Sequence, residues 1–382
     1  MICRAFAVLT VLTLPAVLGA DQGRAAAVPP RPEKSLQIYV VDTEGGKAAL
    51  WISPSGETLL IDTGNPGGRD TDRIMAAIQD AGVAKIDYLL STHYHVDHVG
   101  GMQELVSRIP VGTFVDHGPT VEGPVNPNLR EQVPGFQAWY AGAYAKAKHL
   151  VVKPGDSVPI TGINWRIVTS AGQGLKAALA GAGRPNPGCA ETQPKEITAD
   201  PENGQSVGSL VTFGEFRAID LGDLLWNNEI DLMCPTNKVG TVDLYMVSHH
   251  GTSPSGSPAL VRGLQPRAAV MQNGIRKGAA LDAMATMRTT SSIEDIWQLH
   301  WSYTAGIEQN SAGVFVANVD DNATIAAALT ATGGGGGGGR GGGAAQAHTP
   351  AYWIKISANA DGSFTIANSR NGFSKTYPRR AR

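Results

Sequence analysis

A mixed α/β (α+β) architecture is what this 382-residue sequence predicts. Three observations carry that expectation. Strand-like apolar runs and helix-like periodic runs alternate in each half of the chain. The stretch beginning at residue 36, "LQIYVVDTEGGKAALWISPSGETLLIDTG", holds three short apolar runs parted by Gly, Pro, Ser and Glu, as an antiparallel meander does. The buried-looking strand "IDYLLST" then leads directly into "STHYHVDHVGG", a turn crowded with side chains able to bind metal.

In chain order, the meander is followed by "RDTDRIMAAIQDAGV", where Ile74, Ala77, Ile78 and Ala81 recur at three- and four-residue steps. That spacing predicts a helix, with Asp70 as its N-cap and Gly82 as its stop. After the histidine cluster the pattern predicts a helix in "GMQELVSRI", a strand in "VGTFVDH" and a helical stretch near residues 130–148. Two strands are expected around "HLVVKPGDSVPI" and "NWRIVTS", and residues 171–205, rich in Gly, Pro, Ala and Asn, read as a long loop. Strand and helix signals resume with "SVGSLVTF", "FRAIDLGD", "DLYMVSHHG", a helix from about Ser257, and "AAVMQNG". The aromatic run "IWQLHWSY" reads as core in preference to a pocket wall.

The chain ends carry their own signals. Residues 1–27 combine one early Arg, an apolar run broken by Pro15 and then small residues, as expected for a cleaved secretory signal; the apolar run is shorter than the ~20 residues a membrane anchor requires. After cleavage no stable membrane insertion is expected, and the protein is expected to be secreted or periplasmic. Cys3 leaves with that segment, so Cys189 and Cys234 remain as an even pair, open to bridging or to standing as separate thiols. A catalytic domain is expected over 35–330, a Gly-rich linker over 331–347 and a β-rich tail over 348–382. In the tail, "YWIKISANADGSFTIANSRNGF" alternates about a central "ADG" and predicts a hairpin that docks on the main body.

His93 and His95 are one residue apart, and Asp97 and His98 follow at once. Imidazole and carboxylate suit a borderline divalent cation such as zinc, and four such groups in so short a run supply more ligands than one catalytic ion needs. Two metal ions are therefore expected, most simply Zn2+, with iron or manganese as alternatives.

The run "THYHVDHVGG", preceded by "LLIDTG" and followed downstream by "LGD" and "SHHG", resembles the metallo-β-lactamase fold superfamily. The segments around it are most similar to the branch holding the hydrolase domain of DNA-uptake channel (competence) proteins. The resemblance covers about residues 36–275. It implies a four-layer αββα sandwich, here with a C-terminal β-hairpin tail. It also implies that His93 and His95 ligate a first metal, that Asp97 and His98 ligate a second, and that Asp223 bridges both. Either His249 or His250 closes the second site, with His249 favoured and His250 as a supporting or substrate contact. Asp62 is read as a hydrogen-bonding support for the cluster. The chain departs from the common pattern where a further first-site histidine is usual, since Asn203 stands there. His117, at the end of a strand, is the candidate replacement; the alternative is a weakly held first ion.

A zinc ion with an open position makes water reactive near neutral pH, so the expected reaction class is hydrolysis of a phosphoester, phosphodiester, carbonyl ester or lactone, with Asp97 and Asp223 as the catalytic carboxylates. No G-x-S-x-G signature competes with this reading. Arg276 and Lys277 are candidates to hold an anionic substrate, against the alternative of solvated loop charges. A formal net charge of -2 disfavours nucleic acid as the partner over a small-molecule or phosphoester substrate. Two other readings stand beside the hydrolase: an iron oxidoreductase of the persulfide-dioxygenase type, and a noncatalytic metal-stabilised binding module. Nothing in the sequence sets an oligomeric state.

Overall fold

The computed structural model describes residues 35–122, 132–197, 201–303, 305–319 and 350–380. The expected signal segment (1–27) and the Gly-rich linker (331–347) lie outside them. The first half of the chain runs β1 (Leu36–Val40), β2 (Ala49–Ile52), β3 (Thr58–Ile61), α1 (Arg69–Asp80), β4 (Ile86–Leu90), α2 (Val96–Val99), α3 (Met102–Arg108), β5 (Val111–Asp116), α4 (Gln132–Tyr144) and β6 (Lys148–Val151). The second half runs β7 (Ser157–Val158), β8 (Asn164–Ser170), β9 (Gln173–Gly174), β10 (Gly208–Phe213), β11 (Phe216–Asp220), α5 (Trp226–Met233), β12 (Leu244–Met246), α6 (Pro258–Leu264), β13 (Ala268–Met271), α7 (Leu281–Arg288), β14 (Asp295–His300), α8 (Gly306–Gln309) and β15 (Val316–Asn318). The tail supplies β16 (Ile354–Ala358), β17 (Phe364–Asn368) and β18 (Ser374–Tyr377).

These strands form two sheets. The first has the order β18-β17-β16-β1-β2-β3-β4-β5-β6, and the second β15-β14-β13-β12-β11-β10-β8-β7, with β9 paired to β8. Alternation explains how they stack. On β1, Leu36, Ile38 and Val40 enter the cluster shared by both sheets, together with Trp165, Val211 and Trp297. Tyr39, between them, turns to the opposite face and packs with Ile74, Ile78 and Leu105 of α1 and α3. Leu260 and Leu264 of α6 cover the outer face of the second sheet with Tyr245 and Met284. The layers therefore run helix, sheet, sheet, helix, and the two-faced burial of these strands gives their near-continuous apolar character.

One expectation is corrected and another extended. Asp70 is not the N-cap of α1: Gly68 holds that position, and the Asp70 carboxylate instead accepts from the Asn65 amide at 2.7 Å. The tail forms the expected hairpin, β16 pairing antiparallel with β17 about the "ADG" turn, and adds a third strand, β18; β16 also pairs antiparallel with β1, so the first sheet continues straight into the tail. The tail also reaches the second sheet, where the Trp297 indole donates to the Tyr377 hydroxyl at 2.9 Å. Residues 171–197 and 201–205 are mostly loop as expected, broken by β9 and two short 3-10 helices, and Cys189 and Cys234 are joined in a disulfide with a Cα–Cα distance of 5.8 Å. "IWQLHWSY" places Trp297 in the core of β14. No helix among the described residues is long and apolar enough to cross a membrane.

Parallel pairing matters most for the site. β3, β4 and β5 run parallel in one sheet, and β11, β12 and β13 in the other. The loops leaving their carboxyl ends are where open α/β sheets gather ligands. Asp62 follows β3, the histidine cluster follows β4, His117 follows β5, Asp223 follows β11, the paired histidines follow β12, and Lys277 lies beyond β13.

Candidate metal centre

Loops from both sheets meet in this cluster, and each imidazole is aimed by a partner on its outer nitrogen. His98 Nδ1 sits 2.8 Å from the Asp62 carboxylate, which also accepts from the Thr92 amide at 2.8 Å and the Thr92 hydroxyl at 2.7 Å. His93 Nδ1 faces the Thr92 hydroxyl at 3.1 Å. His250 Nδ1 donates to the carbonyl of Gln272 at 2.9 Å, and His249 Nδ1 lies 3.1 Å from the Ser255 hydroxyl. His95 Nε2 faces Glu122 Oε1 at 3.3 Å. Such outer partners set which ring nitrogen keeps its lone pair for an ion.

The inner atoms converge. Asp223 Oδ2 lies 3.3 Å from His98 Nε2, 3.4 Å from His250 Nε2 and 3.5 Å from His249 Nε2. Asp97 Oδ2 lies 3.4 Å from His98 Nε2 and 3.3 Å from His250 Nε2. His93 Nε2 and His95 Nδ1 face one another at 3.0 Å. Nitrogen and oxygen ligands bound tetrahedrally to one zinc, at about 2.0–2.2 Å, stand about 3.3–3.5 Å apart, which is the spacing seen around Asp97 and Asp223. Two groups, His93–His98–Asp223 and Asp97–His98–His250, hold their donor atoms within 4.8 Å of one another and share His98.

Buried polar atoms that bond to nothing are costly and call for a ligand. His98 Nε2, His250 Nε2 and Asp223 Oδ1 are buried and make no hydrogen bond among the described residues. The donor set therefore fits a divalent cation. Electrostatics agree. Burial works against the charge of Asp223, but His98, His250 and His249 outweigh it and hold the carboxyl well below its usual range. Burial likewise opposes ionisation of Asp97, and Lys277, His98 and His250 overcome it. His93 is kept neutral by burial, with His98 and His95 adding to the effect. On His98, burial is outweighed by Asp223, Asp97 and Asp62, which raise its pKa well above that of a free imidazole; the field at this point favours a positive charge.

The paired histidines require a correction. The expected choice was His249, yet His250 is the ring whose Nε2 faces both Asp97 and Asp223, while His249 approaches Asp223 alone. The reason is backbone geometry. His249 and His250 both adopt left-handed conformations, with φ of 51° and 56°, which is uncommon for side chains with a Cβ. The turn is pinned by His249 N to Gly222 O at 3.0 Å and by the Ala280 amide to Gly251 O at 2.8 Å. Burial lowers the His249 pKa to about 4, leaving it neutral.

His117 is likewise redirected. Its Nε2 contacts Glu202 at 2.9 Å and does not join either donor group. Glu202 also accepts from the Thr120 hydroxyl at 2.6 Å and the Tyr94 amide at 3.2 Å, so it ties the His117 loop to the segment bearing Asn203. Asn203 is buried and its Oδ1 has no partner among the described residues. Asp223 does not cap α5, which starts at Trp226 with Leu225 in the cap position. Lys277 extends its ammonium onto Asp97 Oδ2 at the mouth of the cluster, and Arg276 precedes it, partly exposed. The sequence reading missed Thr92, Glu122 and Glu202. Thr92 lies inside the motif and could have been flagged; the two glutamates sit in irregular loops with no spacing signal.

With this geometry established, known proteins can be compared with the chain. A sequence model described as the metallo-beta-lactamase superfamily matches residues 42–174, the segment that contains Asp62 and the whole histidine cluster. Over those residues this chain is similar to the metallo-beta-lactamase superfamily. It is similar to a hydroxyacylglutathione hydrolase from Idiomarina loihiensis, 30% identical over 90 residues, which is 24% of this chain and 26% of that protein. The chain thus matches only about a quarter of that relative's length. Among solved structures it is similar to the metallo-beta-lactamase fold protein YhfI from Bacillus subtilis, with 10% identity, coverage of 69% of this chain and 95% of that one, and a TM-score of 0.41. It is also similar to CmlA, a diiron beta-hydroxylase from Streptomyces venezuelae, with 17% identity, coverage of 64% and 46%, and a TM-score of 0.37. The matched residues carry His93, Asp97 and His98, members of the His/Asp groups able to hold a metal ion.

Beneath the paired-histidine loop, α5 buries Glu229, whose carboxylate accepts from the Gly256 amide at 2.8 Å and the Ser257 amide at 2.7 Å. Burial outweighs these bonds and raises its pKa from 4.5 to about 7. The folded state therefore holds a proton that the unfolded chain gives up earlier. The associated stability is fully present below about pH 4.5 and is lost as pH rises towards 7, by on the order of 3 kcal/mol. Urea midpoints measured from pH 4.5 to 8 should fall over that window, and Glu229→Gln should flatten this component of the slope.

Proposed function

We propose that this protein is an exported metal-dependent hydrolase of ester-type substrates, with two ions held by His93, His95, Asp97, His98, Asp223 and His250. The observation that carries the reading is the convergence of Asp97, His98, Asp223 and His250 at ligand-like spacings of 3.3–3.4 Å. Divalent ions held there would supply Lewis acidity and activate water near neutral pH. The protein's own part is positional. Asp223 and Asp97 stay ionised, Asp62 orients His98, and the left-handed turn presents His250 from the opposite sheet. Lys277, half-open at the mouth, offers a cation to an anionic substrate once it leaves Asp97.

The similarity to a hydroxyacylglutathione hydrolase supports a thioester or ester among the candidate substrates, beside phosphoesters. Nucleic acid is the less favoured partner, given the net charge of -2. Export is supported by the Cys189–Cys234 bridge, since disulfides persist chiefly in oxidising compartments.

The test is metal quantitation of the purified protein alongside turnover of an activated phosphodiester, a lactone and a thioester. Zinc near two per chain, with hydrolysis that His95→Ala abolishes, is the expected result. Iron with oxygen consumption and no hydrolysis would replace this reading with an oxidoreductase. Stable metal without turnover of any of the three substrates would favour a noncatalytic module.

A further inference from the structure

The first metal subsite lacks a histidine at Asn203, and the structure brings a carboxylate to that side of the cluster by another route. Glu122 stands on the loop after β5, and its side chain is fully buried. Its Oε1 faces His95 Nε2 at 3.3 Å and accepts from the Glu202 amide at 3.2 Å, and its own amide donates to the Thr120 hydroxyl at 3.1 Å. Oε2 is buried with no hydrogen-bond partner among the described residues. A buried carboxylate is expensive unless it is paired, so its placement against His95 calls for a role.

Geometry excludes direct ligation. The other nitrogen of the same ring, Nδ1, is the one that faces His93 Nε2 at 3.0 Å. Glu122 therefore meets the far side of the imidazole, and any influence on an ion passes through His95. The parallel with Asp62 is close: Asp62 accepts from His98 Nδ1 at 2.8 Å and leaves Nε2 to face Asp97 and Asp223. Of the five imidazoles in the cluster, these two have a carboxylate on the outer nitrogen; the partners of the others are hydroxyls and a carbonyl.

We propose that Glu122 is a positioning residue for the first metal subsite: it fixes His95 in the Nε2–H tautomer and strengthens Nδ1 as a donor where the usual third histidine is absent. The inference rests on the metal-dependent reading above. A carboxylate behind a ligating imidazole raises its basicity, and loss of such a partner typically weakens metal binding about 10- to 100-fold.

The test is zinc titration of the full-length metal-free protein, followed by calorimetry and equilibrium dialysis, for wild type, His93→Ala, Glu122→Gln and Glu122→Asp. The binding step that His93→Ala removes should weaken about 10- to 100-fold in Glu122→Gln, with partial recovery in Glu122→Asp and the other step unchanged. Nitrogen NMR of the zinc-loaded wild type should show His95 protonated at Nε2, a readout independent of how the variants fold. Unchanged zinc binding in Glu122→Gln, or an Nδ1-protonated His95, overturns the proposal for Glu122 alone. A wild type that takes up no zinc, or no step sensitive to His93→Ala, overturns it together with the two-ion reading.

Discussion

Replacing Asp223 with Ala should reduce kcat/KM by on the order of 10^3-fold, equivalent to about 4 kcal/mol, and should also lower the stability of the metal-free fold at neutral pH. Both halves of this expectation follow from where the carboxylate sits. Its Oδ2 is the point that His98, His249 and His250 all approach, at 3.3–3.5 Å, and its Oδ1 is buried without a partner. Without an ion, the imidazoles around this buried carboxylate outweigh its desolvation and hold it well below its usual range, so its charge stabilises the metal-free fold above the acid range. Removing it takes that contribution away and leaves His98 without its strongest counter-charge, whereas the backbone keeps its anchor because the Asp223 amide donates to the Ser206 hydroxyl at 3.1 Å. Asp223→Asn should resemble Ala in activity, since it restores shape but not charge. Steady-state kinetics paired with thermal melts of metal-free protein check both arms. A variant that melts earlier but keeps wild-type kcat/KM with metal bound would show that Asp223 acts mainly as a structural residue.

The parts of this site that were legible in the sequence share one property: their geometry is set by neighbours close in the chain. His93, His95, Asp97 and His98 follow a buried parallel strand, so a short turn at its end must gather them, and the side-chain types alone indicate a cation. Asp223 was named through the family resemblance that "AIDLGD" helps to carry, and it too follows a strand end. The choice between His249 and His250 was different. Two successive residues at positive φ turn their rings against the alternation a strand would impose, and that conformation is held by Gly222 O and Ala280 N, which belong to other loops. Glu122 and Glu202 were invisible for a related reason. Each is meaningful only through a partner 27 or 85 residues away, His95 and His117 respectively, and irregular loops carry no periodicity from which such a pairing could be read.

The tail shows the same limit at the level of the fold, and deleting it is the second large expected effect. Alternation in residues 352–373 predicted two strands, but nothing local revealed that β16 would pair with β1 or that β18 would follow. A chain ending at residue 349 should fail to reach the native state. Ile354, Ile356, Phe364, Ile366 and Tyr377 are each 0% exposed, and all lie in the cluster between the two sheets. At roughly 1.5–3 kcal/mol for each large apolar side chain, their loss removes on the order of 10 kcal/mol. A domain is stabilised by only about 5–15 kcal/mol in total. The deletion also strips β1 of its neighbour, exposing an unpaired edge prone to intermolecular pairing, and takes the acceptor from the buried Trp297 indole. The truncated protein is expected in the insoluble fraction or as a species that has lost its near-ultraviolet circular dichroism. Phe364→Ala, whose ring packs 5.4 Å from that of Phe216, should be the milder version, folded but weakened by about 3–5 kcal/mol. Were the truncated chain instead soluble, with native near-ultraviolet signals and the zinc uptake of the full chain, the tail would be an appendage to the sandwich and the continuous nine-stranded sheet would not be needed to hold the metal centre in place.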